Sequence, residues 1–241
     1  MSLTPPVLAL GASPTSLEGA LPMTQTIAEQ LPRLRASIGE SAPAEVAEIF
    51  LREQRALASV TPEGIIKPGA RLPDAALLDP GGQPTTLSEA LAGRPGVLVF
   101  YRGAWCPYCN LALRTYQAAL LDELEARGVQ LVAVSPQRPD GSLTMQEKHG
   151  LRYPVLSDPG SSLGRAAAIM TRPGEEALVA QVKLGLDLEA VNADGTSAIP
   201  MPTTLILDCD RIVQWVDVHP DYSKRSEPEQ ILSALDALAR A

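Results

Sequence analysis

The spacing of apolar positions changes along this chain and divides it into regions. Between Thr24 and Val60, Ile27, Leu31, Leu34 and Ile38 recur every three to four residues. Val46, Ile49, Phe50 and Leu57 do the same beyond the Gly39–Pro43 break, so the pattern predicts two helices. Residues Met1–Pro22 show neither helical nor strand period and read as a flexible arm rich in Pro, Gly, Ser and Ala, with Met23 an alternative start. A Pro/Gly-rich boundary at Pro62–Gly69 opens the main region.

There, strand-like Ala75–Leu78 and Gln83–Thr86 flank a hairpin turn at Asp79-Pro80-Gly81-Gly82. Val97–Tyr101 reads as a buried strand, and Pro107–Arg127 as a helix stopped by Gly128. A strand over Val129–Val134, a short helix over Gly141–His149 and an extended stretch at Tyr153–Leu156 follow. Helices are expected over Ser161–Met170 and Glu175–Lys183. Strands at Thr203–Leu207 and Ile212–Val216 then bracket a turn at Asp208–Arg211. Pro228–Ala239 closes the chain as an amphipathic helix, proline suiting its first turn. Strands alternating with helices predict an α/β fold with a mixed central sheet covered on both faces. The division expected is 1–22 arm, 23–60 helical extension and 61–241 main domain.

With 45% hydrophobic residues the 241-residue chain can build a full core. Its formal charge of −8 argues against nucleic acid or an anionic membrane as partner. No apolar run reaches membrane-spanning length, and the N-terminus lacks the features of a secretory signal. Three cysteines are too few for a secreted disulfide scaffold, so a reducing cytoplasm is expected.

Two of those cysteines, Cys106 and Cys109, sit three apart where a strand gives way to a helix. Both sulfurs fall within one turn and can join, while the helix amides and the positive end of the macrodipole favour a thiolate. Cys106, just before the first turn, is expected to be the more acidic and to attack first, with Cys109 resolving. Pro107 stiffens the turn, Arg102 offers a positive charge, and Trp105 and Tyr108 offer apolar walls. A zinc site needs more ligands than the pair provides, and only Cys209, His149, His219 and scattered carboxylates remain. Cys209 lies between Asp208 and Asp210, a poor setting for a nucleophilic thiolate. No metal and no cofactor are expected. Pro202, leading into an apolar strand, is either a plain strand-entry residue or a cis proline beside the dithiol.

The run WCPYC followed by a helix, with MPTTLILD and a terminal hairpin plus helix, resembles the thioredoxin superfamily. CPYC is the tetrad of glutaredoxins. The wider chain is similar to peroxiredoxin-like proteins of the AhpC/TSA family, through Ile66–Leu91, Val97–Cys109, Leu131–Gln137, Tyr153–Gly164 and Thr203–Trp215. The resemblance implies a thioredoxin-like fold, attack by Cys106, resolution by Cys109, and Pro202 at the superfamily's cis-proline position with Thr203 beside it. Two departures stand out. Orthodox peroxiredoxins carry Thr or Ser three residues before the attacking cysteine, where this chain has Gly103. They also carry an arginine at the entry of the late strand, where alignment puts Pro202, leaving Arg102 as a candidate replacement.

Three functions follow as expectations. The first is peroxide reduction, with an external dithiol reductant of thioredoxin or glutathione type restoring the pair. The second is thiol–disulfide exchange on protein or small-molecule disulfides. The third is a redox-responsive interaction protein using the helical N-terminus, whose apolar stripe also suits a homodimer.

Overall fold

The computed structural model describes residues 25–139 and 149–240. The expected N-terminal arm at 1–22, and all of the expected helix at 141–149 except His149, lie outside the described residues.

The first two helices are α1 (Ile27–Ser41) and α2 (Ala44–Leu57). Thr26 starts α1 with a capping box, its hydroxyl accepting from Glu29 N while Glu29 accepts from Thr26 N. Two further amides of the first turn, Ile27 N and Ala28 N, donate to the Glu227 carboxylate at 2.8 Å each. This extension is therefore tied to the far end of the chain.

The hairpin β1 (Ala76–Leu78) and β2 (Pro84–Thr86) leads into α3 (Leu87–Leu91). After β3 (Gly96–Phe100) come α4 (Pro107–Ala119), α5 (Leu121–Ala126) and β4 (Gln130–Ser135). The chain continues through β5 (Val155–Ser157), α6 (Ser162–Ala166), β6 (Met170–Thr171), α7 (Glu175–Lys183) and α8 (Leu188–Val191). It ends with β7 (Ile199–Pro200), β8 (Thr203–Leu207), β9 (Val213–Val218) and α9 (Pro228–Leu238).

Seven strands form one mixed sheet in the order β2-β1-β5-β4-β3-β8-β9, and β6 pairs with β7 apart from it. β3, β4 and β5 run parallel; β8 and β9 add antiparallel at one side. The alternation of side chains across a strand splits the core in two. Val97, Val99, Leu131, Ala133 and Ile206 face α4 and α5, together with partly buried residues of α1 and α9. Leu98, Phe100, Val132, Val134 and Leu205 face α3 and α6 on the other side. This is the expected α/β thioredoxin-like architecture.

Several elements differ from expectation. The single helix over 107–127 is broken at Leu120, whose φ of −123° leaves the helical region while its side chain buries completely. Leu120, Leu121 and Leu124 still bury together, so an apolar pattern reads straight through the break. The helix expected over 161–170 stops at Ala166 because Ala168 turns left-handed (φ 55°) and Ile169 N returns to Gly164 O. Residues 170–171 then pair with Ile199–Pro200, a two-residue ladder too short to leave a periodic signal.

Candidate functional site

The site is built where β3 hands over to α4. All five residues of β3 are buried, and Tyr101 N extends the ladder to Val134 O. The chain then turns sharply through Arg102–Trp105 and enters the helix with Cys106 as N-cap and Pro107 in the first turn. Cys109 N and Asn110 N both donate to Cys106 O, at 3.0 and 3.1 Å. The turn itself is held by Ala104 N on Gln137 Oε1 (2.7 Å) and by Asn110 Nδ2 on Ala104 O (3.0 Å).

Gly103 is required by this turn. Its φ is +146°, and a Cβ there would meet Trp105 Cδ1 at 2.7 Å and Gln137 Oε1 at 2.9 Å. The position at which orthodox peroxiredoxins carry a hydroxyl has no room for one here.

Both cysteines are reduced and buried, with 1% and 0% of their surfaces exposed. Their thiols hydrogen-bond to each other. Cys109 receives two further donors, Arg102 N at 3.4 Å and Arg225 Nη2 at 2.9 Å. The same guanidinium donates through Nη1 to Tyr222 O and Lys224 O, which aims it at the sulfur. Burial pushes the Cys106 thiol well above its ordinary value, and the hydrogen bond to Cys109 adds to this. Cys109 is also penalised by burial, yet the bond from Cys106 and the charge of Arg225 hold it well below the ordinary thiol value. The expectation that Cys106 is the more acidic rests on the helix terminus, and the buried Arg225 guanidinium in contact with Cys109 acts against it.

Aromatic rings pack in the same buried cluster as the pair. Arg102 is buried, its guanidinium 3.9 Å from the Tyr222 ring centroid and 5.0 Å from that of Trp105. Tyr108 lies against Tyr222, ring centroids 6.3 Å apart. Among the described residues neither Arg102 nor Arg225 has a carboxylate within ion-pair distance, so the dithiol is the anion these two buried cations face.

Pro202 departs from the resemblance. No peptide bond among the described residues is cis, and Pro202 is a strand-entry residue. Met201 N donates to Ile169 O and Pro202 O accepts from His219 N, so both sides of the proline are held in extended pairing. Thr203 is buried at the start of β8 and donates its hydroxyl to Met201 O. Cys209 is exposed at the β8–β9 turn. His219 is engaged by Asp217, Nε2 to Oδ2 at 2.9 Å.

Sequence reasoning missed Arg225 and Tyr222. Both sit in an irregular segment before α9, where no periodicity marks a side chain as inward-facing. No sequence signal marks them: Asp221, Ser223, Arg225 and Ser226 are polar yet buried, with Lys224 exposed among them.

A family model for the AhpC/TSA family matches residues 68–216, and the chain belongs to that family. It is 32% identical over 94 residues to the Mycobacterium tuberculosis protein named "Putative peroxiredoxin Rv2521". That match covers 39% of this chain and 59% of the relative's length. Among solved structures, the fold is similar to reduced Prx3 of Vibrio vulnificus in complex with hydrogen peroxide, with a TM-score of 0.56 and 24% identity. That likeness covers 71% of this chain and 99% of the other. Peroxidoxin BcpB of M. tuberculosis is similar at a TM-score of 0.54 and 23% identity, over 72% of this chain and 98% of that one.

Proposed function

We propose that the protein is a dithiol peroxidase that reduces a hydroperoxide at Cys106 and Cys109. The observation that carries this reading is the Arg225 guanidinium 2.9 Å from Cys109 Sγ inside a buried thiol pair. The charge that steadies the thiolate comes from the loop before α9, since the strand-entry position holds Pro202.

The two sulfurs share one proton. Cys109, surrounded by three donors, is a stabilised anion and therefore a modest nucleophile. It accepts the proton of Cys106, and the Cys106 thiolate attacks the nearer oxygen of the peroxide. The O–O bond breaks, Cys106 becomes a sulfenic acid, and Cys109 returns the proton to the departing hydroxide or alkoxide. Cys109, again a thiolate, displaces hydroxide from the sulfenic acid and closes the disulfide. Two electrons from an external thiol reductant, of thioredoxin or glutathione type in a reducing cytoplasm, reopen it.

Thiol–disulfide exchange is the second reading. Gly103 favours it, because the hydroxyl that helps hold a peroxide is missing. Rapid mixing with hydrogen peroxide separates the two. The wild type should form the Cys106–Cys109 disulfide, and Cys109→Ser should accumulate a trappable sulfenate on Cys106, more slowly than the wild type oxidises. Cys106→Ser should trap none. A sulfenate on Cys109 would reverse the roles, and fast reaction with a model disulfide but none with peroxide would favour exchange.

A further inference from the structure

We propose that α2 is a size filter over the dithiol, admitting small hydroperoxides and holding out folded protein disulfides. The inference rests on the thiol pair being the reactive centre. It adds a selectivity element in residues 44–57, outside the stretch matched by the family model.

The site is layered. The sulfurs share one buried cluster with Tyr108 and Tyr222, both tyrosines are 7% exposed, and the Arg102 guanidinium lies over the Tyr222 ring. Helix α2 lies over those rings. Gln54 Nε2 donates to Tyr108 Oη at 3.4 Å, and Tyr222 Oη donates to Phe50 O at 3.3 Å. Glu53 Oε1 accepts from Gly174 N at 2.8 Å, and Arg52 pairs with Glu176 at 2.5 Å, pinning α2 to the start of α7. A folded protein cannot place a disulfide against Cys106 while this helix is seated. A small peroxide needs only side-chain movement among the rings.

The helix is also lightly held. Of its apolar residues only Val46 is fully buried, Ile49, Phe50 and Leu57 are half-buried, and Leu51 is exposed. Its two hydrogen bonds to the tyrosines are long, and its ion pair is in solvent, where such pairs contribute little. An element with few buried contacts opens more readily than the sheet beneath it.

The test compares alkylation by N-ethylmaleimide with alkylation by a polymer-linked maleimide of the same warhead. Reaction at each cysteine of the full-length reduced protein is followed by peptide-resolved mass spectrometry. Exposed Cys209 is the internal standard. In the wild type the bulky-to-small rate ratio at the dithiol should be at least about tenfold below that at Cys209, and Glu53→Ala with Gln54→Ala should raise it about tenfold. Arg52→Glu, which breaks only the ion pair, should shift the ratio the same way by less, and serves if the double variant does not fold. Equal ratios at both sites in the wild type, or a ratio unmoved in every folded variant, would overturn the filter. Alkylation does not depend on peroxide turnover. A filter present in a protein that forms no sulfenate would sink the peroxidase reading alone.

Discussion

The segment Val97–Cys109 and the segment Tyr222–Glu227 meet at one sulfur but reach it differently. The first delivers both cysteines through regular local structure, a buried strand, a tight turn and a capped helix. The second is irregular and delivers a single guanidinium across 116 residues of sequence. In the proposed reading the local segment supplies the reacting sulfurs, while the distant one sets a positive charge against one of them. Motif and acidity are therefore separable properties, and substitutions in the loop should change chemistry while leaving the motif untouched.

The largest effect is expected from Arg225→Met. An opposite charge in contact lowers a thiol pKa by about 1–3 units, so its removal should cut the thiolate fraction at neutral pH about tenfold or more. Peroxide consumption should fall by about the same factor. The sign follows from the direction of the shift. Cys109 sits below its ordinary value, so activity is present above the lowered pKa and fails as pH falls through it. In Arg225→Met that acid limb should move to higher pH, and Arg225→Lys should restore part of the shift. Stability carries the same signature. The contribution of Cys109 should grow as pH rises toward 9.0, and be smaller in the variant. A pH–rate profile unchanged in Arg225→Met would break the comparison, because the local segment would then set acidity alone.

Legibility in the sequence follows the same line. The short apolar runs of β3, β4 and β8 and the turn chemistry at Asp79–Gly82 are local patterns, so the sheet and its covering helices are readable. The CxxC pair is readable for the same reason. Arg225 is not, because burial of a charged side chain is set by what surrounds it in space, and Ser223–Ser226 reads as solvated loop. The balance of acidity within the pair is hidden on the same ground: the helix terminus is visible from sequence, the competing guanidinium is not. Pro202 failed differently. Its backbone is fixed by Ile169 and His219, partners from two other segments.

A second, smaller effect tests the local segment. Gly103→Thr restores the side chain that orthodox peroxiredoxins carry, but into a left-handed backbone already in contact with Trp105 and Gln137. The combined strain and overpacking should cost about 2–4 kcal/mol in chemical denaturation. Peroxide consumption should not rise. A stable and faster variant would show that the turn still accommodates the peroxiredoxin arrangement, and that Arg225 is an addition to it.

The smallest effect sharpens the link between the two segments. Tyr116, fully buried on α4, donates from Oη to Ser226 O at 2.7 Å, and Ser226 Oγ donates to Asp217 Oδ2 at 2.8 Å. These bonds fix the residue next to Arg225, so Tyr116 is a positioning residue that acts through the guanidinium. Tyr116→Phe removes one donor and leaves a buried carbonyl unpaired, a loss of about 1–2 kcal/mol. The same change should slow peroxide consumption a few-fold and raise the acid limb of the pH–rate profile slightly. In an Arg225→Met background its effect on rate should vanish while its effect on stability remains, since contacting residues couple and independent ones add. An equal loss of rate in both backgrounds would assign Tyr116 to the general packing of α4 rather than to aiming the charge.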